Sequence, residues 1–390
     1  CMNSRIENYF AVPKTRNRRI LLFAVITVLL SRALIPLVHV WYVSKYGGTG
    51  WWVTDLNAWD SAWYRSIVME GYALVPSPGR SEVNWAFFPL LPMIVRGLYQ
   101  LTGMEPYIIA MLVDTLFLMG IVIVGFVYIS ETRHSYTQAA ATGIIFTFGA
   151  YSFYFSIMYT EALYLLLLLI TLYALEKKEY LIMGMAGAFL SATRNTGIMV
   201  VFAVGVKVIM NYIEEADNEK KSFAGFLKYA FGDWKLVLGI CLIPAGLFAF
   251  MAYLGWKMGD PLAFVHVQVA WGGEMGNPLR VLYGGLRSGN IRLFYLGVWG
   301  IAGGFVILVL LMKRRFHEAM LAMILLLIPM SVRLQSMPRY FIGSGVFVWG
   351  GVEFLSSKKL RFLLPVFIVA LALMEFLCIW MWFARKQIMV

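Results

Sequence analysis

Apolar stretches long enough to cross a membrane recur along this chain from Ile20 to Phe383, separated by short breaks rich in charge, Gly and Pro. A hydrocarbon core about 30 Å thick takes roughly 20 apolar residues in a helix, and an open chain satisfies its backbone polar groups there only as helix. With 61% of its 390 residues hydrophobic and 14% charged, the chain is excluded as a soluble domain. The expected architecture is an all-α polytopic membrane protein, one membrane domain over residues 1–390.

The first apolar stretch, about Ile20 to Val43, exceeds the roughly 7 to 15 residues of a signal-peptide core and is expected to remain as an anchor. Lys14, Arg16, Arg18 and Arg19 precede it, which by the positive-inside rule places residues 1–19 in the cytoplasm. Further spans are expected near 106–130, 138–155, 160–176, 180–193, 196–213, 236–257, 291–312, 318–332, 340–355 and 362–383, about eleven in all. Alternating them puts Arg133, Lys177, Lys178, Lys220, Lys221, Lys313, Arg314, Arg315, Lys358, Lys359 and Arg361 inside. The net charge of +12 is therefore a topology signal and calls for no nucleic-acid partner. Two long outer loops follow, 46–105 and 258–290, with a charged cytoplasmic loop at 214–235.

The first outer loop holds the densest mixture of aromatic and charged residues. In Asn57-Ala-Trp-Asp-Ser-Ala-Trp-Tyr-Arg-Ser-Ile67, Trp59, Trp63 and Ile67 recur every four residues, the spacing of an apolar helical stripe lying in the interface, with Asp60 and Arg65 off it. After a Pro- and Gly-containing turn, a second amphipathic stretch is expected from Asn84 to about Leu101, started by its prolines. Asp60 reads equally as a helix cap, a partner of Arg65 or a catalytic carboxylate. Asp55 reads first as a cap and is the secondary catalytic candidate.

Polar residues also interrupt apolar runs at other outer turns. In Tyr159-Thr160-Glu161 a carboxylate sits near membrane depth, costly unless paired, hydrated or functional. Arg194 and Asn195 join two apolar segments, and Arg333 and Arg339 form a basic cluster on the outer side, against the usual bias. A guanidinium fork suits a phosphate, and a snorkelling interfacial Arg is the plainer alternative. Asp114, Glu353, Glu375 and Arg32, inside spans, read as buried pairs or proton sites. The four His and three Cys form no metal motif or disulfide framework; a carboxylate-bound Mg or Mn is left open.

Trp59-Asp60 with Tyr64, Gly71-Tyr72, Ala86-Phe-Phe-Pro-Leu-Leu-Pro92, Tyr159-Thr-Glu-Ala-Leu163 and Ala192-Thr-Arg-Asn-Thr-Gly197, in that order, resemble the PIG-V-like mannosyltransferase family. The resemblance is dense to Gly197 and continues weakly to Pro338-Arg339-Tyr340. It implies a GT-C-type multi-span bundle that moves a hexose, typically mannose, from a polyprenyl-phosphate donor to a lipid- or glycan-linked acceptor on the extracytoplasmic side. That places it in the plasma membrane of a prokaryote or the endoplasmic reticulum of a eukaryote. Eukaryotic relatives add the second mannose to the glycosylphosphatidylinositol precursor; in this chain the Arg motif departs from theirs, reading Arg194-Asn-Thr-Gly197, which leaves the acceptor open.

By the same resemblance Asp60 matches the acidic residue of the first outer loop that such enzymes place at the catalytic centre, and is expected to be the general base of an inverting transfer. Arg194, Arg339 and Arg65 are the expected donor-phosphate ligands, and Trp59, Tyr64, Tyr159, Glu161 and Asn195 the expected substrate-binding groups. The alternative class is a transporter of lipid-linked sugar or a small molecule, since ionisable residues inside spans also mark transport routes.

Overall fold

The computed structural model describes residues 13–48, 50–75, 82–216, 221–271 and 276–386. The Pro- and Gly-containing turn expected after Tyr72 and the middle of the charged 214–235 loop fall outside them.

Nineteen α-helices and no strand occur among the described residues. Five helical stretches are long and apolar enough to cross a membrane: α1 (Pro13–Tyr46), α5 (Pro106–Arg133), α9 (Val200–Glu215) with the 3-10 turn before it, α15 (Ile291–Met312) and α19 (Leu363–Phe383). The pair α11 (Trp234–Leu242) and α12 (Ala245–Met258) is long and apolar enough only when the two are taken together, and it is bent by 40° at a break where Pro244 cannot continue a helical hydrogen-bond ladder. Large side chains on the outside of α1 and α19, among them Leu30, Leu37, Val366 and Leu373, are more than half exposed, which suits lipid and not water.

The remaining expected spans are shorter helices: α6 (Tyr136–Phe148), α7 (Glu161–Glu176), α8 (Tyr180–Ser191), α16 (Phe316–Val332), α17 (Met337–Ser344) and α18 (Val346–Leu355). The 138–155 and 340–355 runs, each expected as one span, are interrupted. The first breaks at Gly149 and resumes as a 3-10 turn, Ser152–Ser156; the second breaks at Gly345, whose φ of 68° a side chain rarely adopts.

Small residues set the helix contacts. A Cβ on Gly246 of α12 would lie 2.0 Å from the Ala188 carbonyl oxygen of α8, and one on Gly184 of α8 would lie 2.5 Å from that of Gly239 in α11. Backbone approach of this kind is how helices pack where lipid removes the hydrophobic drive.

Charge is gathered at one end of the bundle. Arg133, ending α5, is buried in ion pairs with Glu318 of α16 and Glu353 of α18, and Arg315 donates to the Thr132 carbonyl at 2.7 Å. Lys177 pairs with Glu131 at 2.8 Å, and His317 lies 3.3 Å from Glu176. Residues from several of the inward-assigned breaks thus converge. The first loop, Tyr159–Glu161, Arg194 and Arg339 converge at a separate place.

Midway, Arg32 of α1 donates to Ser152 O, Ser156 Oγ and Thr147 O, while Glu375 of α19 accepts from Ser152 Oγ and Phe153 N. Arg32 and Glu375 therefore clamp the 3-10 turn from two sides and satisfy its backbone away from water.

Candidate active site

The loop that presents Asp60 links two short helices and is held by bonds from elsewhere in the chain. Between α2 (Trp52–Leu56) and α3 (Ser61–Met69), Trp59 adopts φ 52°, a left-handed conformation that is strained for a bulky side chain. Neighbours hold it there. Trp382 Nε1 donates to Leu56 O at 2.8 Å, Met158 N donates to Asn57 Oδ1 at 2.8 Å, and Asn57 Nδ2 donates to Val53 O. The Tyr159 hydroxyl donates to Ala58 O at 3.0 Å and accepts from Asp60 N at 3.2 Å. The Trp59 ring meets Trp382 edge-on at 4.4 Å, with the Arg385 guanidinium 5.4 Å from its centre.

This corrects the expected stripe. Trp59 lies before α3 and not on it; the buried face of α3 is Ser61, Tyr64, Ile67 and Val68, at helical spacing, with Trp63 half-buried. The second amphipathic helix forms as α4 (Leu90–Thr102), with Pro89 at its start. Asn84 ties the two stretches together, accepting from Ala73 N and donating to Gly71 O and Ser66 Oγ. Leu90 N donates to Ala192 O, which docks this loop on the Arg194 segment.

Asp60 begins α3 without capping it: its carboxylate makes no bond to the helix N–H groups. Its Oδ2 accepts from Arg339 Nη1 at 2.9 Å. Arg339 Nε donates in turn to Glu161 Oε1 at 2.5 Å, and the same oxygen is paired with Arg194 Nη2. Arg194 Nε donates to the Thr160 hydroxyl at 2.6 Å. An unbroken chain therefore runs from Asp60 through Arg339, Glu161 and Arg194 to Thr160, joining the first loop, α7, the segment before α9 and α17. Aromatic faces flank both guanidiniums: Arg339 lies 4.6 Å from the Tyr159 ring centre, and Arg194 5.6 Å from that of Tyr164.

The two carboxylates differ in access. The Asp60 side chain is 33% exposed and Glu161 is fully enclosed, its Oε2 without a hydrogen-bond partner among the described residues. Two carboxylates and two guanidiniums balance formally, so the buried members are paired as burial requires. Tyr64 packs beneath the same cluster, and burial pushes its hydroxyl up to about 12, Arg194 opposing and Glu161 adding to the shift. It remains a proton donor at neutral pH.

Other sequence candidates lie apart from this chain of contacts. Arg65 is engaged by Glu105, Nε to Oε1 at 2.8 Å, and stacks over Tyr107, so it is no partner of Asp60. Asp55 Oδ2 lies 2.8 Å from His39 Nε2, a contact that ties α2 to α1. Asn195 is exposed at the start of a 3-10 turn, Asn195–Met199, whose close approach needs Gly197: a Cβ there would stand 2.3 Å from Leu190 O. Among the described residues no three His, Cys, Asp or Glu side chains gather as a metal site.

Sequence reasoning missed Asn57, Thr160 and Trp382 as supports of the site. Asn57 and Thr160 stand inside the motifs already singled out, and Trp382, near the end of the last apolar run, is indistinguishable in sequence from an interfacial anchor. Asp114 of α5 is fully buried with neither oxygen partnered among the described residues.

Comparison with known proteins identifies the lineage. Residues 15–263, well over half the chain, match the family described as Mannosyltransferase (PIG-V). That stretch contains Asp60, Tyr159, Glu161 and Arg194; Arg339 lies beyond it. No curated protein matches the chain. Among solved structures, the Archaeoglobus fulgidus oligosaccharyltransferase, crystallised with Zn and sulfate, aligns at a TM-score of 0.38 and 13% identity over 83% of this chain. The alignment spans 48% of that protein, about half its length.

Proposed function

Because the chain belongs to the PIG-V mannosyltransferase family, we propose that this membrane glycosyltransferase is an inverting mannosyltransferase of GT-C type. It would move a hexose from a polyprenyl-phosphate sugar to a lipid- or glycan-linked hydroxyl on the extracytoplasmic side. The observation that carries the reading is the continuous chain Asp60, Arg339, Glu161, Arg194, in which one carboxylate is partly open and the other is buried beneath two guanidiniums.

The accessible carboxylate takes the base role. Asp60 removes the proton from the acceptor hydroxyl as its oxygen forms the bond to the anomeric carbon. The bond from that carbon to the lipid phosphate breaks with its electron pair leaving on phosphate oxygen, whose growing charge Arg339 and Arg194 meet. Glu161 is enclosed and engaged by both guanidiniums, which makes it a poor nucleophile for a covalent sugar intermediate and supports inversion. Its task is to hold the two guanidiniums side by side. Tyr159 and Trp59 then shape the site through the loop backbone and the ring surface under Arg339. Arg65 and Asn195, at the margin, are left to outlying phosphate or acceptor contacts.

The test is transfer of radiolabelled mannose from polyprenyl-phosphate-mannose to membrane acceptors by purified protein in nanodiscs, with and without chelator. The anomeric configuration of the product is read by stereospecific glycosidases. Transfer with inverted configuration is the expected result. Sugar flux into vesicles with no glycosylated product would replace the enzyme reading by the transporter one.

A further inference from the structure

The Asp60 carboxylate, needed as a base, has its Oδ2 occupied by the Arg339 guanidinium, so that oxygen is not free to meet the acceptor hydroxyl. The two contacts of Arg339 are unequally placed. Its Nε is bound to the enclosed Glu161, while its Nη1 reaches the partly open Asp60. The two bonds use Arg339 Nε and Nη1, and Asp60 accepts through its Oδ2. Arg194, by contrast, is committed on both sides, to Thr160 and to Glu161.

Resting on the transferase reading above, we propose that the Arg339–Asp60 ion pair is a latch opened by the donor: a lipid phosphate takes over the outer edge of the Arg339 guanidinium and releases Asp60 to act as base. The Nε bond to Glu161 is the pivot, so Arg339 turns without leaving the cluster. Released from Arg339, Asp60 Oδ2 is free to accept the hydrogen bond of the acceptor hydroxyl. The acceptor hydroxyl therefore meets a competent base only when donor is bound, which imposes an order of binding, donor before acceptor. No covalent change occurs in the latch itself; one charge-assisted hydrogen bond is exchanged for another.

The release is readable without turnover. A hydrophobic carbodiimide reaches a carboxyl group more readily when no guanidinium covers it, so a released Asp60 is modified faster than a paired one. Wild-type protein in nanodiscs is treated with the reagent with and without a sugar-free polyprenyl phosphate. Modification of Asp60 is quantified by peptide mass spectrometry relative to Asp260, an exposed carboxylate whose partner is His266. Lipid binding is followed separately with radiolabelled polyprenyl phosphate. A several-fold rise in Asp60 modification on adding the lipid is the expected result. Arg339→Gln should show the high rate already without lipid and respond no further. Binding of the lipid with unchanged or lowered modification of wild-type Asp60 overturns the latch and leaves the transferase reading standing. Failure of the lipid to bind at all overturns both.

Discussion

Glu161 is the residue on which the rest of the site depends, because a single buried carboxylate oxygen receives both Arg339 and Arg194. Removing one partner of a buried ion pair costs about 3–5 kcal/mol, since the other charge stays behind unpaired. Glu161→Gln leaves two neighbouring guanidiniums facing an amide. It is expected to lower the unfolding temperature in detergent markedly, whereas Asp60→Asn, at the open end of the same chain, is expected to shift it little. Equal melting behaviour of the two variants would show that Glu161 does not anchor the cluster. The contrast follows from burial: both are acidic residues paired with Arg339, and one is enclosed while the other is a third exposed.

Among the elements, the contacts of α8 with α11 and α12 are made by backbone, so glycine is required there for a reason unrelated to flexibility. A methyl group on Gly246 meets a carbonyl oxygen at 2.0 Å, and backbone cannot yield as a side-chain tip can. Gly246→Ala should cost about 1–3 kcal/mol, the usual penalty of overpacking, measured as a lower apparent melting temperature. Gly205→Ala in α9, where a Cβ meets nothing within 4 Å, should lose nothing. If the two variants melt alike, α8 and α12 do not meet backbone to backbone.

Element positions were largely legible in the sequence, because each apolar run ends at a charge, Gly or Pro that marks where a helix stops. The expected segments at 106–130, 160–176, 180–193, 291–312 and 362–383 all correspond to helices. What local pattern could not show is where the helix of the first outer loop begins. Trp59, Trp63 and Ile67 share a four-residue spacing, yet α3 starts only at Ser61 because tertiary bonds from Tyr159, Met158 and Trp382 hold Trp59 in a left-handed turn. Nor could spacing assign partners. Asp60 and Arg65 are five residues apart and look complementary, but Arg65 pairs with Glu105, and Asp60 finds Arg339 across 279 residues of chain.

At the scale of the whole molecule, two charged regions divide the bundle: the Arg133, Glu318 and Glu353 network, and the Asp60 to Arg194 chain. The positive-inside rule assigns the first to the cytoplasmic side and the second to the outer one. Single cysteines introduced as Ser288→Cys, before α15, and Lys358→Cys, after α18, test that assignment with an impermeant maleimide in intact cells. Ser288→Cys should be labelled directly and Lys358→Cys only after permeabilisation. The reverse pattern would turn the molecule over and place the candidate site in the cytoplasm.

The most direct measurement is the single-turnover rate of mannosyl transfer from polyprenyl-phosphate-mannose by wild type, Asp60→Asn and Asp55→Asn. Loss of a general base slows transfer by about 100-fold or more, so Asp60→Asn should fall by at least that factor. Asp55→Asn, whose carboxylate is bonded to His39 away from the arginines, should stay within a few-fold of wild type. Near-wild-type turnover by Asp60→Asn, with the large loss in Asp55→Asn instead, would move the base to Asp55 and contradict the catalytic role of the Asp60–Arg339 chain.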